Sequence, residues 1–273
     1  MPEPPNTPAP PQQPPNEGPL LPDWPVRRPA DAAPSHRPGH VQVWAWSLRE
    51  EPSAAATAVL AADELQRAGR LKFAKHRRRF VQGRAGLRVL LGAATGTAPG
   101  GVAFEYGPHG KPCVEGLRPS VAFNASHTGD LAVAAVAIGA GALGIDVEAH
   151  RPCRNAEAIA TRHFTPAEAR ACLALDGADR TTRFFDLWSA KEAVIKLLGS
   201  GLTLPLTAFE TPAAAGRVGE VLLPEENALG IARCWLQPIA GAPGCAAALA
   251  CVAPPAGVTF QLLDPATLRG ESP

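Results

Sequence analysis

Residues 144–148, Gly-Ile-Asp-Val-Glu, follow an apolar run from Leu131 to Ile138. Alternation along a strand would place Asp146 and Glu148 on one face and the two branched apolar residues on the other. Two adjacent carboxylates repel each other unless a cation or a proton lies between them. A few hard oxygen ligands suit magnesium, which keeps several waters and takes further ligands from substrate phosphates. The stretch therefore predicts either a magnesium site or a solvated strand end.

A second stretch, residues 185–198, carries apolar residues at helical spacing and ends at Gly199, as a helix C-terminus would. Within it, Glu192 and Lys196 lie one helical turn apart. One interpretation is an ordinary surface ion pair, which stabilises a helix by roughly 0.3–0.5 kcal/mol. The other interpretation makes Glu192 a third metal ligand or a base, and Lys196 a phosphate contact.

The composition sets broad limits on fold and function. The chain has 273 residues, 46% of them hydrophobic, and a net charge of +1, which suits one large domain or two small ones and gives no bulk electrostatic argument for nucleic-acid binding. It has no run of about 18 uncharged apolar residues, and its first residues are proline-rich, so we expect a cytoplasmic protein without a membrane partner. The six cysteines lack zinc spacing, which favours reduced thiols.

The distribution of proline and of apolar runs predicts four regions. Residues 1–39 are proline-rich with few large apolar side chains, a composition typical of a disordered tail. Residues 40–143 form an N-terminal half that begins with a strand near Val41–Trp46, and residues 144–265 form a C-terminal half. In the latter, the apolar segment 244–252 predicts a counterpart strand. Residues 266–273 are a short C-terminal tail.

A basic segment, residues 63–91, reads as one long helix or two joined helices. It carries nine lysines and arginines: Arg67, Arg70, Lys72, Lys75, Arg77, Arg78, Arg79, Arg84 and Arg88. Such a cluster attracts anions, and either a nucleic acid or a local phosphate pocket would suit it. The scarcity of interleaved aromatic residues favours the phosphate pocket, with two or three of these side chains as ligand contacts.

Three shorter motifs lie within the two halves. Residues 107–112, Gly-Pro-His-Gly-Lys-Pro, are typical of a hairpin turn from which Lys111 projects. Residues 123–127, Phe-Asn-Ala-Ser-His, place a serine and a histidine just before an apolar strand. Residues 164–168, Phe-Thr-Pro-Ala-Glu, predict a helix start with Thr165 as N-cap and Glu168 closing a capping box.

In this order, the segments resemble a 4′-phosphopantetheinyl transferase of the single-chain, double-length type, which modifies carrier proteins of polyketide, nonribosomal-peptide and fatty-acid synthases. The resemblance spans Asp63 to Phe209. It rests on Arg79-Phe80-Val81 with the helix from Arg84 to Leu91, Gly110-Lys111-Pro112, and the motifs at 123–127, 144–148, 164–168, 188–196 and 199–202. The proline-rich N-terminus lies outside the common core of that family.

The resemblance implies an α+β fold with two similar, pseudo-twofold-related halves, each a small antiparallel sheet packed with a long helix. Coenzyme A would bind in the cleft between the halves, and Asp146, Glu148 and Glu192 would hold Mg²⁺ on its pyrophosphate. The implied contacts to coenzyme A are Arg67, Arg79, Gly110, Lys111, Pro112, Ser126, His127 and Lys196.

The implied reaction transfers 4′-phosphopantetheine from coenzyme A to a serine of an apo acyl or peptidyl carrier protein and releases 3′,5′-ADP. Asp146, Glu192 and Lys196 are the implied catalytic residues, with Glu192 taking the serine proton directly or through a metal-bound water. We expect a monomer that does not bind nucleic acid. Two alternatives remain: a non-catalytic nucleotide or nucleic-acid binding module using helix 67–88, and a magnesium-dependent hydrolase of a small nucleotide.

Overall fold

A computed structural model describes residues 21–31, 38–117, 120–212, 217–240 and 242–271. Its strands are β1 Val26–Arg27, β2 His40–Ser47, β3 Phe104–Tyr106, β4 Pro112–Val114, β5 Val121–Thr128, β6 Leu131–Ile138, β7 Leu143–Ala149, β8 Gly219–Leu222, β9 Arg233–Pro238, β10 Cys245–Cys251 and β11 Gly257–Leu263. Its helices are α1 Ala54–Ala58, α2 Ala62–Arg70, α3 Ala74–Thr95, α4 Ala156–His163, α5 Pro166–Leu173, α6 Gly177–Leu198 and α7 Pro265–Arg269, with 3₁₀ turns at Pro99–Gly101, Gly201–Thr203 and Leu206–Ala208.

The fold is α+β, as predicted. One sheet has five strands in the order β1-β11-β2-β6-β5, and the other has four in the order β7-β10-β9-β8. The four-stranded sheet is antiparallel throughout. The five-stranded sheet is mixed, because β11 runs parallel to both β1 and β2. The expectation of two purely antiparallel sheets is therefore wrong for the first half, and the pseudo-twofold relation stays a prediction.

The predicted elements agree with the structure wherever their pattern is strong. The basic segment forms two joined helices, α2 and α3, separated by extended backbone at Leu71 and Phe73. The predicted first strand is β2, the hairpin turn joins β3 to β4, and the apolar segment near 244–252 contains β10. Helix α5 has the predicted capping box between Thr165 and Glu168.

Helix α6 is longer than predicted, because it begins at Gly177 rather than near Phe185. Its first turns carry mostly polar, solvent-facing residues, and continuous burial starts only at Phe184. Periodicity in apolar residues cannot detect a helical segment that does not pack on a core. The helix ends as predicted at Gly199, which is left-handed with φ of 66°.

Both predicted tails contain secondary structure that packs on the rest of the fold. Strand β1 pairs with β11, and the Trp24 ring packs on Phe260 with centroids 5.1 Å apart, so residues 21–31 contain ordered structure. The disorder predicted for residues 1–20 and 32–37 lies outside the described residues. Strand β11, in the predicted C-terminal half, pairs with β2 of the other half, and the predicted C-terminal tail contains most of α7. The exact region boundaries stay a prediction.

Apolar side chains are buried on the faces of both sheets. The face of β2 that carries Trp44 and Trp46 packs with α3, and the opposite face, with Val41 and Val43, packs with Ile145 and Val147 of β7. The edge strands β5 and β7 therefore lie side by side where the two sheets meet. None of the helices in the described part of the chain has the length and hydropathy to cross a membrane.

Candidate active site

A hydrogen-bonded cluster of three side chains lies at the junction of the sheets. The Ser126 hydroxyl on β5 donates to Asp146 Oδ1 at 2.7 Å. Lys196 Nζ on α6 lies 2.6 Å from the same oxygen and 2.9 Å from Ser126 Oγ. Three predicted site residues from three different elements therefore share one network.

The alternation of β7 aims Asp146 at this cluster. Ile145 and Val147 are buried in the core between the sheets, so Asp146 and Glu148 face the other way, as predicted. A Cβ placed on Gly144 would lie 2.0 Å from the Ala193 carbonyl oxygen, so the α6 backbone touches the strand there. This close approach is what brings Lys196 to Asp146.

Two further carboxylates lie near Asp146, and their environment disfavours negative charge. Burial raises the pKa of Glu192 to about 7, and the charge of Asp146 adds to this effect while Lys196 opposes it. Burial, followed by the charge of Asp146, also raises the pKa of Glu148, although Arg151 Nη1 lies 3.3 Å from its carboxylate. A nearby cation would stabilise the negatively charged form of both carboxylates.

The residues present suit a hard divalent cation. The second oxygen of Asp146, Oδ2, is buried and has no hydrogen-bond partner among the described residues. A buried, unpaired carboxylate oxygen costs free energy, and metal coordination would remove that cost. No three His, Cys, Asp or Glu side chains converge at metal-binding geometry in the described ranges, and Asp146 Oδ1 is engaged by Lys196. Asp146, Glu148 and Glu192 could hold Mg²⁺, and that set stays a prediction.

A cavity of about 660 Å³ adjoins the cluster, and its lining includes Arg67, Arg79, Pro112, Ser126 and His127, all predicted site residues. The cavity is therefore walled by cationic side chains and by one member of the Ser126–Asp146–Lys196 cluster.

Three of these lining side chains have defined surroundings. His127 is solvent-accessible, yet desolvation by the atoms around it lowers its pKa, and the charges of Lys196 and Arg79 lower it further. Arg79 Nε donates to Asp130 Oδ1 at 2.7 Å, which orients the guanidinium. Arg67 lies over the Phe80 ring at 5.3 Å.

A smaller cavity of about 250 Å³ is lined by five predicted residues, Gly110, Lys111, Pro112, Glu192 and Lys196. Both cavities are lined by Pro112, Asn124 and Ala125, so they adjoin each other. A ligand that bridged them would pass the Ser126–Asp146–Lys196 cluster.

Lys111 differs from the other predicted phosphate contacts. Its Nζ donates to the backbone carbonyls of Leu143 at 2.8 Å and Leu197 at 2.9 Å. The ammonium group thus binds the start of β7 and the last turn of α6. Its role as a phosphate contact stays a prediction.

Sequence reasoning did not assign two polar residues of the large cavity, His76 and Arg84, to the site, although it counted Arg84 among the basic residues of the segment. Both lie on one face of α3, since the lining residues of this helix include positions 76, 80, 83, 84 and 87. These positions follow helical spacing. Periodicity could therefore have found the residues once one of them had been assigned to the cavity.

Comparison with known proteins matches both halves of the chain to one family. Residues 142–247 match the sequence model of the 4′-phosphopantetheinyl transferase superfamily. Residues 44–138 match the model of the N-terminal part of 4′-phosphopantetheinyl transferase.

Curated relatives match over more than half of this chain. The 4′-phosphopantetheinyl transferase HetI of Nostoc is 40% identical over 147 residues, 53% of this chain and 62% of HetI. Psf-1 of Bacillus pumilus is 34% identical over 161 residues, 59% of this chain and 67% of psf-1. AcpT of Salmonella typhimurium is 30% identical over 151 residues, 55% of this chain and 74% of AcpT. The chain spans less than two thirds of HetI and more of the other two. It belongs to the 4′-phosphopantetheinyl transferase superfamily.

Proposed function

We propose that this protein transfers the 4′-phosphopantetheine group of coenzyme A to a serine hydroxyl of an apo acyl or peptidyl carrier protein and depends on Mg²⁺. The observation that carries the proposal is the Ser126–Asp146–Lys196 cluster, set where two adjoining cavities meet and flanked by Glu192. The names of the relatives support the same activity.

Coenzyme A suits the large cavity in size and in charge. A volume of about 660 Å³ lies within the range of roughly 300–1,000 Å³ that is usual for small-molecule sites. Arg67, Arg79 and His127 would contact the 3′-phosphate and the pyrophosphate. Lys196 would contact the pyrophosphate at the junction of the two cavities, because its ammonium group lies at the cluster.

The chemistry is a displacement at phosphorus. The serine oxygen of the carrier protein attacks the β-phosphorus of coenzyme A, the bond from that phosphorus to the bridging oxygen breaks, and 3′,5′-ADP leaves. The serine proton goes to the Glu192 carboxylate, directly or through a water. Burial raises the pKa of Glu192 to about 7 when no cation is bound, and a cation held by the same carboxylate would favour its deprotonated form, which is the form that accepts a proton.

Lys196 and Ser126 hold Asp146 in one orientation through their shared hydrogen bonds. Asp146, Glu148 and Glu192 would hold the metal. Bound Mg²⁺ would supply positive charge against the negative charge that develops on the phosphoryl oxygens. Positioning and electrostatic stabilisation account for most of the catalysis of phosphoryl transfer.

The carrier protein would approach from the second half. Carrier proteins are usually acidic helical bundles, and the segment from Arg151 to Arg183 contains several arginines, among them Arg154, Arg162 and Arg170. We expect the enzyme to act as a cytoplasmic monomer.

The arrangement of the basic helix favours this proposal over a nucleic-acid binding module. Arg79 pairs with Asp130 at 2.7 Å, and both Arg84 and Arg88 pair with Glu64, at 2.8 and 2.7 Å. Glu64 therefore offsets the charge of Arg84 and Arg88, which leaves a smaller basic surface for DNA or RNA than the sequence suggests, whereas Arg79 also lines the large cavity. A nucleotide hydrolase would share the carboxylates and would leave an added carrier protein unmodified.

Intact-protein mass spectrometry tests the proposal. Apo acyl and peptidyl carrier proteins are incubated with the enzyme, coenzyme A and Mg²⁺, with EDTA in a parallel sample. We expect a mass gain of one phosphopantetheine group that is absent with EDTA. Release of 3′,5′-ADP without any carrier-protein gain would support the hydrolase instead, and salt-sensitive DNA or RNA binding alone would support the binding module.

A further inference from the structure

The two sheets are connected at β5 and β7 by side chains. Each of these strands is the outermost strand of its own sheet, and no backbone ladder joins them. Instead, the Ile145 N–H donates to Asn124 Oδ1 at 2.9 Å, and the Ala149 N–H donates to Thr128 Oγ1 at 3.0 Å. Two backbone donors on the free edge of β7 are thus satisfied from β5.

These contacts are buried, so their loss has consequences. Asn124 is 7% exposed and Thr128 is 6% exposed. A buried N–H group that loses its acceptor retains its full desolvation penalty, so the strand would have to move to recover a partner. Asn124 and Thr128 therefore restrain the position of β7 relative to β5.

Asn124 and Thr128 flank the Ser126–Asp146–Lys196 cluster. Asn124, Ser126 and Thr128 are alternate residues of β5, so their side chains lie on one face of the strand. Ser126 contacts Asp146 between the two backbone contacts at Ile145 and Ala149. The restraints on either side thus determine how Asp146 meets Ser126.

Lys111 restrains helix α6. Its Nζ joins the carbonyl of Leu143, the first residue of β7, to the Leu197 carbonyl in the last turn of α6. A cation at a helix C-terminus interacts favourably with the helix dipole. Gly199 makes room for this lysine, since a Cβ there would lie 3.1 Å from Lys111 Cδ.

We propose that Lys111, Asn124 and Thr128 form a clamp of positioning residues: Asn124 and Thr128 hold β7 against β5, and Lys111 holds α6 against β7, so that Asp146 and Lys196 meet the ligand in one geometry. The clamp rests on the proposed function where it concerns catalysis. It assigns Lys111 a role in the protein scaffold in place of the phosphate contact expected from the sequence.

Matched pairs of variants test the clamp. Thr128→Val removes the acceptor and keeps the shape, whereas Thr128→Ser keeps the hydroxyl. Lys111→Met removes the ammonium, and Lys111→Arg keeps a cationic donor. Steady-state transfer kinetics give kcat and KM, calorimetric titration gives the Kd for coenzyme A, and thermal unfolding checks that each variant is folded.

We expect Thr128→Val and Lys111→Met to lower kcat at least tenfold while the Kd for coenzyme A changes less than about threefold. Thr128→Ser and Lys111→Arg should recover most of kcat. A general loss of stability would not lower kcat while leaving the Kd for coenzyme A nearly unchanged. A tenfold weaker Kd with unchanged kcat in Lys111→Met would show a phosphate contact and overturn the role of Lys111. A kcat within twofold of wild type in Thr128→Val would overturn the clamp.

Hydrogen exchange separates the clamp from the proposed function. The Ala149 amide should exchange at least tenfold faster in folded Thr128→Val than in Thr128→Ser, whether or not the protein has transferase activity. Equal exchange in the two variants would overturn the clamp. Absence of transfer by the wild-type protein, with this difference in exchange present, would overturn the proposed function alone.

Discussion

Helices α3 and α6 are both 22 residues long, and each is anchored by the same device. In the first half, buried Arg88 pairs with Glu64 at 2.7 Å. In the second, buried Lys191 pairs with Glu168 at 2.8 Å. Each glutamate also accepts a backbone N–H at the start of the preceding short helix, at 2.9 and 2.8 Å. This repetition suits two related halves, and their pseudo-twofold relation stays a prediction.

The helices differ in how they meet the sheet. A Cβ on Gly86 of α3 would lie 2.6 Å from the Trp46 ring, so an indole separates that helix from β2. At Gly144, the backbone of α6 touches β7 directly. The wide spacing accompanies a large cavity, and the close spacing brings Lys196 onto Asp146. We propose that the anchored helix of the first half shapes the binding site and that the anchored helix of the second half shapes the reaction site.

Removing the anchors has the largest expected effect on stability and tests whether they are equivalent. Lys191→Met would leave the Glu168 charge buried without a cation, whereas Arg88→Met would leave Glu64 paired with Arg84. Lys191→Met should lower the free energy of unfolding by about 3–5 kcal/mol, and Arg88→Met should lower it less. Urea unfolding of both variants measures this, with exposed Arg233→Met as control. A loss of the same size in both variants would show that Arg84 does not compensate for Arg88.

Glu192→Gln tests the reaction site of the second half. Loss of the base should lower kcat at least about 100-fold, or roughly 2.7 kcal/mol, because general-base catalysis commonly contributes 10²–10⁴-fold. Arg79→Gln in the first half should instead weaken coenzyme A binding. Transfer kinetics and calorimetry separate the two effects, with exposed Glu157→Gln as control. A wild-type rate in Glu192→Gln would contradict the assigned role.

Glycine substitutions test the difference in spacing directly. Gly144→Ala would place a methyl group against the α6 backbone. We expect it to lower the free energy of unfolding by about 1–3 kcal/mol or more and to remove most of the transfer activity. Gly86→Ala meets a side chain that can shift, and it should cost less. Gly69→Ala on α2 meets nothing within 4 Å and should stabilise slightly, so it serves as control. Equal losses at Gly144 and Gly86 would refute the proposed contrast.

The pH dependence of stability should have opposite signs in the two halves. Glu192 has a pKa of about 7 in the fold, above its ordinary value of 4.5, so the native state binds more protons and loses stability as pH rises through this window. The free energy of unfolding should fall by about 2 kcal/mol or less over this pH range. Although burial alone would raise the pKa of Asp130, Arg79 and Arg78 lower it, so its contribution is lost as pH falls below about 4.

Thermal unfolding in EDTA from pH 5 to pH 8 measures the Glu192 effect. Glu192→Gln should be more stable than wild type at pH 8 and close to it at pH 5. Added Mg²⁺ should raise the Tm of wild type at pH 8 and leave that of Asp146→Ala unchanged. A wild-type Tm that rises with pH relative to Glu192→Gln would contradict the sign of this shift.

Much of the site could be predicted because its motifs are local. Period-two alternation is enough to send Asp146 and Glu148 to one face of a strand, and period-3.6 spacing is enough to align Glu192 with Lys196. Where the local pattern was weak, prediction failed. The first turns of α6 lack apolar residues, and the pairing of β11 with β2 joins residues more than 200 positions apart.

The sequence also could not separate lysines of identical chemistry. Lys191 and Lys196 lie five positions apart in one motif, yet Lys191 is fully buried on Glu168 while Lys196 reaches Asp146. Lys111 was expected at a phosphate, and its ammonium group donates to two carbonyl oxygens. Burial and partners, which depend on the packing of distant elements, assign each lysine its role.

Motifs in this sequence were therefore sufficient for the resemblance to the family, which implied the α+β class, and local patterns were sufficient to align the acidic and basic side chains, because strand alternation, helical spacing and caps act over a few residues. Packing was required to bring Ser126, Asp146 and Lys196 together from three elements, and to raise the pKa of Glu192 to about 7. These properties arise from distances and desolvation between segments far apart in the chain, and no local pattern encodes them.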